Sequence, residues 1–129
     1  MSVCPQERCP FCDVAPEQIL ESDALVLAVA DAYPVSAGHT LILPRRHVVD
    51  FFELTIQEIR SVYQLLRSIR YRLDRDMSPA GYNIGVNITP TAGQTVMHAH
   101  VHLIPRYAGD VPDPVGGVRN VIPQKGRYP

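Results

Sequence analysis

The chain has no excess of charge of either sign, no apolar run long enough to cross a bilayer, and only three cysteines. A formal net charge of -1 gives no general electrostatic grip on a polyanion, so no nucleic-acid polymer is expected as a partner. The missing apolar run excludes a spanning helix, and no membrane partner is expected. The stretch from Met1 to Cys12 lacks the apolar core of a signal peptide, so the cytoplasm is the expected location. Cys4, Cys9 and Cys12 sit together near the start. An odd count in a reducing compartment argues against a disulfide framework and leaves metal or redox chemistry open. No internal repeat or low-complexity tract interrupts the chain.

What is present suits one domain. The length of 129 residues leaves no room for two, and a hydrophobic content of 46% is enough for a core. Ala24 to Ala30 is rich in branched apolar residues and reads as a buried strand. A turn-rich stretch from Tyr33 to Gly38 follows, and His39 to Leu43 reads as a second strand closed by Pro44. Thr55 to Glu58 has the spacing of a capping box. Behind it Ile56, Ile59, Tyr63, Leu66, Ile69 or Arg70, and Leu73 recur at helical intervals, which predicts an apolar stripe on a helix of several turns. Ser78 to Gly81 breaks the helix. Tyr82 to Ile88 alternates as a strand, and His98 to Ile104 alternates again up to Pro105. Strand, strand, helix, strand, strand implies an α+β domain, with a mostly antiparallel sheet and one long helix on a face. Exposed sheet edges favour pairing of two chains. After Arg106 the chain turns to Gly and Pro. Residues 108–129 read as an irregular tail on the surface of the same domain, and residues 1–107 as its main body.

The informative segment runs from Gly93 to Arg106. In a strand, alternate side chains share a face, so His98, His100 and His102 are expected on one side and Ala99, Val101 and Leu103 in the core. Neighbouring histidines would stand roughly 7 Å apart, a spacing suited to an extended anionic substrate. Neutral imidazole is a nucleophile and a proton carrier near neutral pH. One ring can attack phosphorus while another serves the departing oxygen. His100, with a partner on each side, is the natural attacker. Fixed donors must hold the phosphoryl oxygens. Gln94, Thr95, Asn87 and the backbone amides around Gly93 are the candidates.

Gln94 to Ile104 resembles the histidine triad signature, in which three histidines alternate with apolar residues after a Gln-Thr/Ser-Val lead-in. Ala37 to His47 resembles a second block of the same superfamily. The resemblance implies a nucleotide monophosphate site, most simply for an AMP-containing substrate, with a covalent nucleotidyl intermediate on His100. It implies that His102 bonds the bridging or phosphoryl oxygen and that His39 is a further active-site histidine. Asn87 and Thr95 match phosphate and leaving-group contacts, Asp31 matches the position that bonds the ribose hydroxyls, and Leu25 and Val29 flank the base. The implied fold is a five-stranded antiparallel sheet with one long helix and a shorter one, forming a ten-stranded sheet as a homodimer. No catalytic cofactor is implied.

Cys9-Pro10-Phe11-Cys12 has the spacing of a zinc knuckle, here taken to span residues 4–12. Two ligands do not make a structural site. Similarity to triad relatives with an N-terminal Cys-x-x-Cys implies His47 and His98 as the other two, with Cys4 a possible competitor. A thioredoxin-like role needs a strand before Cys9, for which there is no room. Two other functional classes remain. One is a metal-dependent hydrolase with the triad as ligands, disfavoured because the only acids between Glu58 and His98 are Asp74 and Asp76. The other is a nucleotide sensor or scaffold without turnover. In the tail, Arg119 and Lys125 could reach a polyphosphate, and Tyr107 and Tyr128 could stack.

Overall fold

The computed structural model describes residues 9–128; Cys4 and the first part of the knuckle lie outside them. Five strands form one antiparallel sheet: β1 (Ile19–Ser22), β2 (Val26–Ala30), β3 (Thr40–Pro44), β4 (Gly81–Gly85) and β5 (Val101–Arg106). Their order is β1-β2-β3-β5-β4, so β1 and β4 are the edges. Helix α1 (Ile56–Met77) crosses one face. The antiparallel sheet and the long helix match the expected architecture. Among the described residues the shorter elements are 3-10 turns, including Phe51–Glu53. β1 went unread in the residue pattern. It has four residues and an irregular register against β2, too little for periodicity to register.

The capping box forms as expected. The Thr55 hydroxyl accepts from the Glu58 amide at 3.1 Å, and the Glu58 carboxylate accepts from the Thr55 amide at 2.8 Å. The apolar stripe is shifted from the one expected. Val62, Leu65, Ile69 and Leu73 are buried, whereas Ile56 is 68% and Tyr63 61% exposed. Both sets follow helical spacing. The sheet selects the one that meets Val26, Ala28, Ile42, Val101 and Leu103.

The opposite face of the sheet carries Leu27, Val29, Leu41 and Leu43, and Phe11, Val14 and Ile19 pack against them. The N-terminal segment therefore covers the side of the sheet that the helix leaves open. On β5 the alternation sends Val101 and Leu103 toward the helix, while His102, paired with Leu41, faces the covered side. Gly38 sets up the start of β3. Its φ is +90°, a left-handed conformation that favours glycine, and a Cβ there would lie 2.7 Å from Leu73 Cδ2 and force that side chain to shift.

The tail folds back as two 3-10 turns, Gly117–Val121 and Pro123–Lys125. Its polar groups are used locally. Arg119 stacks on Tyr128 at 4.6 Å and donates to the Gly126 and Lys125 carbonyls, and the Tyr107 hydroxyl donates to Ala37 O at 2.7 Å.

Candidate functional site

On the covered face lies a cavity of about 690 Å³. Its apolar wall includes Phe11, Val14, Leu20, Val29 and Leu41; its polar wall includes Asp31, Asn87, Thr95, His100 and His102. Sequence reasoning found Val29 but not Phe11, Val14, Leu20 or Leu41. Leu25 is absent from the lining. The signal for the missed residues was weak, since a short apolar segment folded across a sheet has no periodicity.

The histidine segment departs from a continuous strand. β5 begins at Val101, and His98, Ala99 and His100 precede it. Two ties bend them away. The Ala99 amide donates to Val48 O at 2.6 Å, and His98 Nε2 donates to Pro44 O at 2.8 Å. The three rings therefore do not form a row. His98, fully buried, turns toward the cysteines, while His100 and His102 line the cavity with ring centroids 5.1 Å apart. A single ion held by the whole triad is geometrically excluded, because His98 points into a different cluster.

Each ring's protonated nitrogen follows from its partner. His100 Nδ1 donates to His98 O at 2.8 Å, which leaves the Nε2 lone pair for the cavity. His39 Nδ1 accepts from the Val35 amide at 3.1 Å, so its proton is on Nε2. That proton points at His102 Nδ1, 2.9 Å away, with Asp31 Oδ2 at 3.4 Å. His102 must then carry its own proton on Nε2, and that buried atom has no hydrogen-bond partner among the described residues. A nitrogen lone pair and an unpartnered N–H thus sit side by side on one cavity wall. Burial holds both His39 and His102 below the usual imidazole value of 6.5, against a smaller opposing pull from Asp31, so both are neutral near pH 7.

His39 itself does not line the cavity; it stands behind His102 and sets its tautomer. Gln94 is also set back. Its side chain is spent on the loop, accepting from the Thr89 amide at 2.9 Å and donating to Val49 O and Val96 O at 2.9 and 3.1 Å. The amides of Gly93 and Gln94 are likewise used, by Pro90 O and Thr89 O. Of the candidate donors, the side chains of Asn87 and Thr95 belong to residues that line the cavity. Asp31 reaches the cavity while its Oδ1 accepts from the Tyr33 amide at 2.8 Å.

The second cluster contains Cys9, Cys12, His47 and His98. Cys9 Sγ lies 3.4 Å and Cys12 Sγ 3.6 Å from His98 Nδ1; His47 Nδ1 lies 3.2 Å from both Cys12 Sγ and His98 Nδ1. Because Nε2 of His98 is committed to Pro44 O, its Nδ1 lone pair faces the sulfurs. Tetrahedral zinc with bonds of about 2.0–2.3 Å holds its donors roughly 3.3–3.8 Å apart. The observed separations are close to that range, and Cys9, His47 and His98 are suitable donors. Against the expectation from the odd cysteine count, Cys12 is disulfide-bonded here, so its sulfur would become a zinc ligand only after reduction. Asp31, His39 and His102 form another close group of donors, but there the short N–N contact is a shared proton rather than two facing lone pairs.

Sheet, cavity and paired imidazoles together define a small α+β domain with a histidine-lined site. Comparison with known families narrows this further. Residues 13–109 match the HIT domain, and the chain belongs to the HIT family. An uncharacterized HIT-like protein of Mycoplasma genitalium is 36% identical over 103 residues, 77% of this chain and 73% of that protein. An AP-4-A phosphorylase of Mycobacterium tuberculosis is 34% identical over 78% of this chain and 52% of its own length. A bis(5'-nucleosyl)-tetraphosphatase of Schizosaccharomyces pombe is 33% identical over 72% of this chain and 51% of its own. Among solved structures, a HIT family protein from Bacillus anthracis has a TM-score of 0.72 at 37% identity, covering 81% of this chain and 77% of that one. A Zn-bound histidine triad family protein from Mycobacterium smegmatis has a TM-score of 0.71 at 30% identity, covering 81% and 84%.

Proposed function

We propose that this chain is a nucleotide hydrolase or nucleotidyltransferase. It acts at the α-phosphate of a dinucleoside polyphosphate or a nucleoside phosphoramidate, through a nucleotidyl-histidine on His100. The observation that carries the reading is the paired presentation of His100 Nε2, bare, and His102 Nε2–H, unpartnered, on one cavity wall. His100 Nε2 attacks phosphorus, and an N–P bond forms as the P–O or P–N bond to the leaving group breaks. His102 Nε2–H bonds the oxygen or nitrogen that gathers charge and can pass it the proton. Water or phosphate then takes the nucleotidyl group and restores the free ring. Asn87 and Thr95 hold the phosphoryl oxygens, Asp31 bonds the ribose, and the base lies against the apolar wall. His39 keeps His102 in the donating tautomer, and Gln94 braces the loop that carries Thr95. Similarity to a bis(5'-nucleosyl)-tetraphosphatase and to an AP-4-A phosphorylase supports a dinucleoside polyphosphate as substrate.

Zinc on Cys9, Cys12, His47 and His98, with the Cys12 disulfide reduced, is the structural cofactor of this reading. When bound it would tie the N-terminal segment to the sheet, with no part in the chemical step. A homodimer joined through edge strand β4 would extend the sheet to ten strands. The exposed Ile84 on that strand supports this pairing. Among the described residues no helix is long and apolar enough to cross a membrane. The direct test supplies diadenosine tetraphosphate and an adenosine phosphoramidate and measures AMP. Turnover by the parent and none by His100→Ala is expected. AMP binding without turnover of either compound would make the chain a sensor instead.

A further inference from the structure

The loop between β4 and the histidine segment carries a strained residue. Thr89 has φ +72° and ψ 158°, a region that glycine occupies freely and a β-branched residue does not. The other non-glycine residue with positive φ among the described residues, Ser78, sits in the ordinary left-handed well at φ 50° and ψ 52°. The ψ of Thr89 suits a residue that precedes proline, and Pro90 follows it, so the strain lies in φ. The Thr89 side chain is exposed, so core packing does not call for it.

The surroundings hold this conformation in place. Buried Gln94 accepts from the Thr89 amide at 2.9 Å through Oε1, and its Nε2 anchors to Val49 O and Val96 O. The Thr89 carbonyl accepts from the Ala92 and Gln94 amides at 3.1 and 3.0 Å. The loop closed in this way forms part of the cavity wall. Gly93 lines the cavity together with Asn87 and Thr95. A Cβ built on Gly93 would stand 3.8 Å from the Asn87 side chain, so the end of the loop abuts that residue.

We propose that Thr89 is a spring in the wall of the nucleotide cavity, a positioning residue that acts through Asn87 and Thr95. Its relaxed conformations have negative φ. Turning to one of them swings the Thr89 amide and carbonyl off Gln94 and Ala92 and draws Gly93 away from Asn87. Strain at Thr89 lowers the cost of opening the loop, and a nucleotide held by Asn87 and Thr95 raises it. Nucleotide leaves when the loop opens, so the residue at this position sets how long the product stays. The nucleotide part of this inference rests on the functional reading above; the opening of the loop does not.

The test compares the full-chain parent with Thr89→Gly and Thr89→Val. Two quantities are read: hydrogen exchange at the Ala92 and Gln94 amides without ligand, and the dissociation rate of a fluorescent AMP analogue chased with AMP. Thr89→Gly relaxes the backbone and should slow both about fivefold or more. Thr89→Val, which keeps the branched Cβ and loses the hydroxyl, should stay near the parent in both. Unchanged exchange in Thr89→Gly overturns the inference, and so does slower exchange with a parental dissociation rate. A Thr89→Val that follows Thr89→Gly also overturns it, because the hydroxyl and not the backbone would then be responsible. If the parent binds no AMP, the functional reading fails by itself, and the exchange rates still decide the loop.

Discussion

Two pairs of imidazole nitrogens meet in this protein, and they meet differently. In the cysteine cluster the Nδ1 atoms of His47 and His98 are 3.2 Å apart with two sulfurs beside them. In the cavity wall His39 Nε2 and His102 Nδ1 are 2.9 Å apart with a carboxylate beside them. The first arrangement turns lone pairs inward and suits a cation. The second passes a proton along a line and suits a reaction. What separates them is the group on the far side of each ring: a carbonyl at Pro44 takes the His98 proton, and an amide at Val35 fixes that of His39. Residue type alone does not assign a histidine its work; the backbone atom behind it does.

The sharpest way to separate the two regions is to remove one ring from each. His100→Ala should lower nucleotide turnover by about 10³-fold or more, as expected for a lost nucleophile, with a melting temperature close to the parent's. His98→Ala should do the reverse in stability. It leaves Pro44 O unpaired and opens a hole in the core, and should cost about 3 kcal/mol or more in denaturant unfolding. A smaller effect is expected at His39. His39→Asn should lower kcat about 10- to 100-fold and leave AMP affinity near parental, because the ring acts through His102. Equal losses in kcat and affinity would place the ring against substrate instead.

pH sharpens the comparison further. The folded state keeps His39 and His102 neutral below 6.5, where the unfolded chain takes up protons. Stability should therefore decline as pH falls below that value. A separate loss belongs to Glu58, which the Arg46 guanidinium holds below its ordinary 4.5. Its contribution is present above 4.5 and disappears as pH falls through the lowered value, so Glu58→Gln should flatten only that lower part of a melting-temperature profile. The smallest effect expected is Thr55→Ala, about 1 kcal/mol from the lost helix cap.

Much of this could be read from the chain before any coordinates. The capping box, the long helix and four of the sheet's five strands follow from local pattern. The alternation of Ala99, Val101 and Leu103 correctly sends these three inward. The start of the last strand could not be read, because the ties that bend His98 and Ala99 away come from Pro44 and Val48, far off in sequence. Gln94 looks like a free donor until its three loop partners are known. The helix stripe is ambiguous for a similar reason. Two overlapping sets of apolar positions fit the period, and only the sheet chooses between them. Phe11 had no periodic signal at all, only its place between two cysteines.

The central claim is that His100 is the nucleophile, and mass spectrometry of a rapidly quenched reaction addresses it most directly. The account predicts one nucleotidyl group on the peptide that contains His100, absent in His100→Ala and accumulating when the acceptor is slow. A parent that turns over substrate with the nucleotidyl group on another residue, or an undiminished rate in His100→Ala, would contradict it.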